Sequence, residues 1–156
     1  MSLIPLDVDG DGDQDVVYTD RRGPKRGTGW LENPVATGEW PDHTMGGADH
    51  EVMFLTPAQF SVAGPTEWLC TTRDGGLLRF TPGDVGIGWH TTEIPMPEGV
   101  GTGKGLAVGD LTGDHLPDIA VSCENAGETD GVFYLEQSQD GWKPHAISGA
   151  PGTKFD

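Results

Sequence analysis

The feature that most constrains this chain is an internal repeat of about 50 residues, because such a period is typical of proteins built from copies of one structural unit. Three landmarks recur in the same order. They are an acidic residue opening an apolar run, a Gly opening a second run, and a Trp followed five positions later by an aliphatic residue. The copies lie at 15–18, 67–70 and 118–121, at 27–32, 75–80 and 131–136, and at 40–45, 89–94 and 142–147.

Glycine and proline limit what each unit can be. They supply 25 and 12 of the 156 residues, and the longest segment without either, residues 13–22, is ten residues long. Helical bundles, coiled coils and doubly wound α/β folds are therefore excluded. Each unit is predicted to form four short strands separated by turn residues, which is typical of a β-propeller blade. An all-β sandwich is the alternative, but it does not explain the repeat.

The predicted organisation is blade 1 at 1–48, blade 2 at 49–99 and blade 3 at 100–150, with 151–156 as the start of a further blade. Closed propellers have about four to eight blades. Three units do not close a ring, so we expect either a longer chain or a second copy to complete it. The uncovered faces and strand edges favour such an assembly.

Charge and composition exclude several classes of function. Asp and Glu outnumber Lys and Arg 25 to 9, a formal charge of −16, which disfavours nucleic acid as a partner. No apolar run approaches the roughly 20 residues of a membrane span. The first residues show neither the charged nor the apolar region of a signal peptide. Cys70 and Cys123 are expected to be buried free thiols.

The first unit contains the acidic run D-V-D-G-D-G-D-Q-D. Its carboxylates repel one another unless a cation lies among them, and Ca²⁺ takes about six to eight oxygen ligands. We predict calcium bound by four side chains and one backbone carbonyl. The side chains are those of Asp7, Asp9, Asp11 and Asp15, and the carbonyl is that of Asp13. The alternative is a solvated Asp-Gly turn. An EF-hand is excluded because the Glu at loop position 12 and the flanking helices are missing.

The third unit repeats this spacing with changes that predict weaker binding. Thr112 replaces an acid, and His115 replaces a turn Gly. The predicted ligands are the side chains of Asp110, Thr112, Asp114 and Asp118 and the carbonyl of Leu116. In the middle unit only one acid remains, so no ion is predicted there. The aligned residues are Gln59, Ser61, Ala63 and Glu67.

Repeats of the form strand, D-x-D-G-D-G-x-x-D, strand resemble the FG-GAP or VCBS repeats of integrin alpha-subunit-like propellers. Residues 6–17 and 108–121 carry the resemblance, and the W-L-E-N-P run at 30–34 resembles the bacterial type. The resemblance implies a β-propeller whose calcium loop joins the first two strands of a blade. It implies no single activity, because the family ranges from adhesion and carbohydrate-binding modules to polysaccharide lyases.

Four of the nine cations lie within six residues: Arg21, Arg22, Lys25 and Arg26. They are predicted to lie in the loop between the second and third strands, opposite the calcium hairpin. One interpretation is a site for an anion or an acidic sugar, through bidentate arginine contacts. The other is a solvated loop that balances neighbouring acids.

Histidines offer weaker candidates. His43 and His145 share a repeat position, which favours packing between blades over catalysis. Asp49, His50 and Glu51 form a possible acid–base cluster, but neighbours on an extended chain point to opposite sides and need not converge. The motifs of phosphate-binding loops, nucleophile elbows and zinc proteases are missing from the sequence.

These observations favour a calcium-stabilised propeller that recognises a glycan or a protein outside the cytoplasm, in the extracellular space or the periplasm. Loop sites of modest affinity suit the millimolar calcium found there. The alternative is part of a secreted polysaccharide-cleaving enzyme, a lyase or a hydrolase, with catalytic residues partly outside this segment. Catalysis is the less favoured of the two, and convergence of His with Arg or Tyr in one cleft would support it.

Overall fold

The computed structural model describes residues 1–61, 63–83 and 88–147. Within these ranges the chain is all-β, with twelve strands and no helix. The strands are β1 (Leu3–Leu6), β2 (Asp15–Asp20), β3 (Gly27–Leu31), β4 (Asp42–Gly46), β5 (Val52–Ala58), β6 (Glu67–Thr72), β7 (Leu77–Pro82), β8 (Trp89–Ile94), β9 (Thr102–Gly109), β10 (Asp118–Glu124), β11 (Val132–Ser138) and β12 (Gly141–Ala146). Nothing in the described part of the chain is a helix able to cross a membrane. The segment predicted to start a further blade, 151–156, lies outside the described residues.

The strands form three four-stranded antiparallel sheets, each taken from consecutive strands. The sheets are β1–β4, β5–β8 and β9–β12, and in each one every strand pairs with its neighbour in sequence. The all-β prediction is confirmed, and each repeat of the sequence folds as one up-and-down sheet. None of the described sheets closes on itself.

Pairing registers show which residues are equivalent in the three sheets. The acidic residue that opens the second strand always faces the end of the first strand. The pairs are Leu6 with Asp15, Ala58 with Glu67, and Gly109 with Asp118. The third strands also correspond, with pairs Val17–Trp30, Leu69–Arg79 and Ala120–Tyr134. The sequence alignment placed Leu78 at this position of the middle unit. That placement was wrong by one residue, because in the register of β6 and β7 Leu69 pairs with Arg79 and not with Leu78.

The sheet β5–β8 lies between the other two and is covered on both faces. Trp68 and Phe80 belong to the apolar cluster shared with the first sheet, whereas Leu69 and Leu77 belong to the cluster shared with the third. Strand β6 is buried at every residue, whereas β2 alternates between buried and half-buried positions. This difference follows from sequence, since a strand buried on both faces has consecutive apolar residues.

Equivalent faces are used in the same way at both junctions. Val17 of β2 packs towards the middle sheet, and Leu69, its equivalent in β6, packs towards the third sheet. Side-chain hydrogen bonds reinforce the first junction: Thr19 Oγ1 donates to the Met53 carbonyl at 3.1 Å. The three sheets are thus stacked by one repeated face-to-face contact.

Both cysteines are buried and free, as predicted. Burial raises the pKa of the Cys70 thiol to about 12 and that of Cys123 to about 11. Because the thiolate is the reactive form, these side chains act as small apolar core residues.

Candidate metal centre

The hairpin between β1 and β2 is organised by the buried carboxylate of Asp15. Its Oδ2 accepts a hydrogen bond from the Val8 N–H at 2.9 Å, and its Oδ1 accepts one from the Asn33 N–H at 2.9 Å. Asp15 is only 1% exposed. This side chain therefore closes the loop and attaches it to the segment that follows β3.

Asp7 curls the loop from its other end. Its two carboxylate oxygens accept hydrogen bonds from the N–H groups of Gly10 and Gly12, at 2.8 and 3.1 Å. Both glycines have left-handed backbones, with φ of 83° and 99°. Glycine adopts this conformation without the steric cost that a side chain incurs, so the D-G-D-G sequence accounts for the tight loop.

Three of the predicted ligands converge. Asp7, Asp9 and Asp15 each offer a carboxylate oxygen, and these oxygens lie within 4.8 Å of one another. Asp11 and Asp13 are not part of this group of three. Asp11 instead accepts a hydrogen bond from the Asp13 N–H at 3.0 Å, an arrangement that shapes the turn.

Asp13 carries a signal that sequence reasoning did not anticipate. Both of its carboxylate oxygens are buried and lack a hydrogen-bond partner among the described residues. Burial, reinforced by the negative charges of Asp11 and Asp15, raises its pKa. Burial also raises the pKa of Asp9, against a hydrogen bond from the Asp11 N–H. Buried carboxylates without partners are rare, and they point to a ligand or ion at the site.

The arrangement suits a hard cation. Several carboxylate oxygens around one point match the oxygen-only preference of Ca²⁺. The prediction assigned the Asp13 carbonyl to the ion, and the geometry adds an unpartnered Asp13 carboxylate to the same loop. The residues present therefore fit calcium, with Asp7, Asp9 and Asp15 as the convergent acids.

The hairpin between β9 and β10 repeats the same backbone hydrogen bonds. Asp110 accepts from the N–H groups of Gly113 and His115, at 2.6 and 3.0 Å, as Asp7 does from the two glycines. Asp118 accepts from the Leu111 N–H at 2.9 Å and the Gln137 N–H at 3.1 Å, as Asp15 does in the first loop. The two loops therefore share one fold.

Substitutions in this second loop change its chemistry. Thr112 stands where the first loop has Asp9, and among the described residues no three acids here have oxygens within 4.8 Å of one another. His115 adopts φ of 70° in the place of Gly12, and its Nδ1 lies 3.7 Å from Asp110. Although burial opposes it, hydrogen bonds from the backbone N–H groups of Gly113 and His115 lower the pKa of Asp110. Asp114 accepts from the N–H of Leu116 at 2.9 Å.

The middle unit pairs its single acid with an arginine. Glu67, whose side chain is 9% exposed, accepts hydrogen bonds from Arg79 Nε at 2.5 Å and Arg79 Nη2 at 2.9 Å. Thr81 Oγ1 donates a third bond, at 3.0 Å. A guanidinium thus supplies positive charge to the position occupied by Asp15 and Asp118 in the other sheets.

A proline helps to explain this exchange. The registers place Pro82 where the first unit has Asn33 and the third has Gln137, the two residues whose N–H groups bond the aspartates. Proline has no N–H to donate. The carboxylate of Glu67 is held instead by the side chains of Arg79 and Thr81.

The basic loop between β2 and β3 is held by acids. Asp20 accepts hydrogen bonds from the N–H groups of Arg22, Gly23 and Lys25. The Lys25 ammonium pairs with Asp42. The remaining cations face the neighbouring connector: Arg21 and Arg22 bond Glu51 at 2.9 and 3.1 Å, and Arg26 Nε donates to the His50 carbonyl at 3.4 Å.

Each of the two repeated histidines packs within its own sheet. His43 stacks on Trp30 with ring centroids 4.3 Å apart, and His145 stacks on Tyr134 at 4.7 Å. Their Nε2 atoms lie 2.7 Å from Glu32 and 2.5 Å from Glu136. These contacts join neighbouring strands of one sheet, whereas the shared repeat position favoured packing between blades.

The structure places the possible acid–base cluster of Asp49, His50 and Glu51 beside a pocket. All three line one pocket of about 400 Å³ together with Arg26, Arg73 and Asp74. The connector is a turn and not an extended chain, because the His50 N–H bonds the Gly47 carbonyl at 3.1 Å. Arg73 and Asp74 were missed because 22 residues separate Arg73 from Glu51, and only the fold brings the β6–β7 turn to this connector.

No protein-family model, curated protein or solved structure matches this chain. Fold and site together define an all-β protein of three stacked four-stranded sheets that carries an acidic hairpin able to hold a metal ion.

Proposed function

We propose that the chain is part of a calcium-stabilised β-propeller of FG-GAP or VCBS type that recognises a glycan or a protein outside the cytoplasm. The observation that carries the proposal is the first acidic loop. There three acids converge, and the buried Asp13 carboxylate has no hydrogen-bond partner among the described residues. A bound Ca²⁺ would neutralise this cluster, and Asp7, Asp9 and Asp15 would hold it.

The sheet packing supports the propeller. In a propeller every blade covers its neighbour through the same pair of faces, and the two junctions of this chain use equivalent faces. Closing the ring requires further blades or a second copy of the chain. Light scattering tests this assembly: a stable 16.6 kDa monomer with one cooperative unfolding transition would contradict it.

Tryptophan fluorescence tests the metal. Asp7 and Asp9 line a pocket of about 250 Å³ together with Trp68 and Trp89. Calcium added to chelator-treated protein should therefore change the tryptophan emission in a saturable way, and magnesium should change it less, because Mg²⁺ retains its waters. Emission that does not respond to millimolar calcium would count against the site.

The alternative function, part of a secreted polysaccharide-cleaving enzyme, has one observation in its favour. His50 lies in the same pocket as Arg26 and Arg73, and such convergence of His and Arg was the feature expected of an enzyme. Incubation with a panel of glycans tests this alternative. New reducing ends or an unsaturated product would establish cleavage, and intact glycans would leave recognition as the proposal.

A further inference from the structure

The pocket beside the basic loop is lined only by charged or titratable residues. It measures about 400 Å³ and lies where the β2–β3 loop, the β4–β5 connector and the β6–β7 turn meet, at the end of the sheets opposite the acidic hairpins. Its lining residues are Arg26, Asp49, His50, Glu51, Arg73 and Asp74.

Glu51 orders the arginines around this pocket. Its carboxylate is shared by Arg21 Nε at 2.9 Å, Arg22 Nη2 at 3.1 Å and Arg73 Nη1 at 3.4 Å. The Arg73 N–H also donates to the Glu51 carbonyl at 2.9 Å, which fixes the β6–β7 turn against the connector. Glu51 is therefore a positioning residue, and it holds guanidinium groups of two units in one place.

Arg26 and Arg73 are the two arginines that line the pocket itself. A guanidinium has five N–H donors in a planar fork that matches a carboxylate. In the contacts above, Arg26 uses its Nε and Arg73 its Nη1, so both have further N–H donors for a ligand. Lys25 differs from them, because it pairs with Asp42 outside this pocket.

The acids of the pocket restrict the ligand further. Asp49 and Asp74 line the same pocket as the two arginines and carry acceptor oxygens, and Asp74 already accepts from the Thr72 hydroxyl. A polyanion or a free phosphate would meet these carboxylates, on a chain of formal charge −16. A single carboxylate with hydroxyl groups attached to the same ring satisfies both the donors and the acceptors.

We propose that this pocket binds a uronic-acid residue, with its carboxylate on Arg26 and Arg73 and its hydroxyls on Asp49 and Asp74. The inference rests on the proposed recognition function and names the ligand class for it. His50, which also lines the pocket, lies 3.6 Å from Glu93 through its Nε2.

Nuclear magnetic resonance titration of the calcium-saturated chain tests the proposal. The probes are methyl glucuronoside and methyl galacturonoside, each compared with its methyl ester, which keeps the hydroxyls and loses the charge. At least one acid should give saturable shifts at residues 49–51 and 73–74. Its methyl ester should bind at least about tenfold more weakly, because the loss of a charge-assisted hydrogen bond costs at least that factor in affinity.

Variants locate the site. Arg26→Gln with Arg73→Gln should weaken binding of the acid about tenfold or more, whereas Lys143→Gln, which removes an exposed cation from β12, should leave it unchanged. Asp49→Asn, which keeps both arginines, should also weaken binding, so the proposal stays testable if the arginine variant does not fold.

Several outcomes would overturn the inference: no saturable shift with either acid, equal binding of acid and ester, equal loss in the Lys143 variant, or sulfate competing as strongly as the uronate. If neither acid binds and a neutral glycan binds elsewhere on the chain, this inference is overturned and the recognition proposal stays in place. A failed calcium response, read from the tryptophan resonances of the same sample, would instead count against the metal site alone.

Discussion

The first and the middle sheets place an acid at the same position and surround it differently. Asp15 lies beside a loop with further aspartates whose charges call for an external cation, whereas Glu67 is paired with the guanidinium of Arg79. A buried carboxylate is costly unless it is paired. A side chain of the same sheet thus neutralises Glu67, whereas a diffusible ion is what we propose for the loop beside Asp15.

The third sheet has an intermediate composition. It keeps the hairpin backbone and the buried Asp118, yet Thr112 removes one charge and His115 brings an imidazole 3.7 Å from Asp110. Fewer negative charges give less attraction for a cation. We therefore expect the first loop to bind calcium more tightly than the third.

Removing the guanidinium of Arg79, the cation supplied by the chain itself, should have the largest effect on the free energy of unfolding. Arg79→Met leaves the buried carboxylate of Glu67 with the Thr81 hydroxyl as donor and without a paired cation. Breaking such an ion pair costs roughly 3 kcal/mol when one partner is a quarter exposed, as Arg79 is at 27%. Urea unfolding should show this loss equally with and without calcium. The matched variant Lys143→Met, on an exposed strand, should stay within about 0.5 kcal/mol of the wild type. A stable Arg79→Met protein would break the comparison.

Removing the calcium ion that we propose for the first loop should lower the stability by nearly as much. At a calcium concentration a hundredfold above the dissociation constant, each site stabilises the folded state by about 2.7 kcal/mol. A chelator should lower the melting temperature, and Asp9→Asn should remove the part contributed by the first loop. Asp140→Asn, in the exposed turn before β12, serves as the control and should keep the full chelator effect. Identical melting curves with and without chelator would argue against a structural role for calcium.

The sequence predicted much of the fold for a physical reason. Turn residues and apolar runs recur with one period, so strands could be located from these runs, as β2 at Asp15–Asp20 illustrates for the run 15–18. The residue that neutralises Glu67 could not be predicted, because it depends on how β7 is aligned with β6. Arg79 reaches Glu67 only when β7 is shifted by one residue from the sequence alignment.

The sequence also could not predict that residues distant in the chain line one pocket. The turn at Gly47 brings Asp49 and His50 towards Arg73, although 22 residues separate Arg73 from Glu51. The Asp13 carboxylate was also missed, since its burial depends on how the loop folds. The candidate calcium ligands, by contrast, lie within nine residues, so spacing alone predicted which acids to examine.

A single charge should sharpen the difference between the two acidic loops. Thr112→Asp gives the third-unit loop the acid that Asp9 supplies in the first, and should raise its calcium affinity about tenfold, or 1.4 kcal/mol. The measurement is a calcium titration in the Asp9→Asn background, where the first loop is weakened. Thr112→Asn keeps a neutral oxygen and should change the affinity much less. Equal affinities of the two variants would mean that charge does not set the difference.

The smallest effect concerns Glu51, a carboxylate paired with arginines nearer the surface. Hydrogen bonds from Arg22 and Arg21 lower its pKa from 4.5 to about 2. Because the folded-state pKa is the lower one, the stabilisation is present above pH 4.5 and is lost as the pH falls towards 2. Urea midpoints of Glu51→Gln should therefore lie below those of the wild type at pH 6 and approach them near pH 2. Parallel curves would contradict the assignment.

Calorimetric titration of calcium into chelator-stripped protein tests the central claim most directly. The wild type should bind two ions, the Asp9→Asn variant should lose the tighter one, and Asp140→Asn should keep both. A folded protein that takes up no calcium at millimolar concentrations, or an Asp9→Asn variant that binds as the wild type does, would contradict the assignment of the acidic loops as calcium sites.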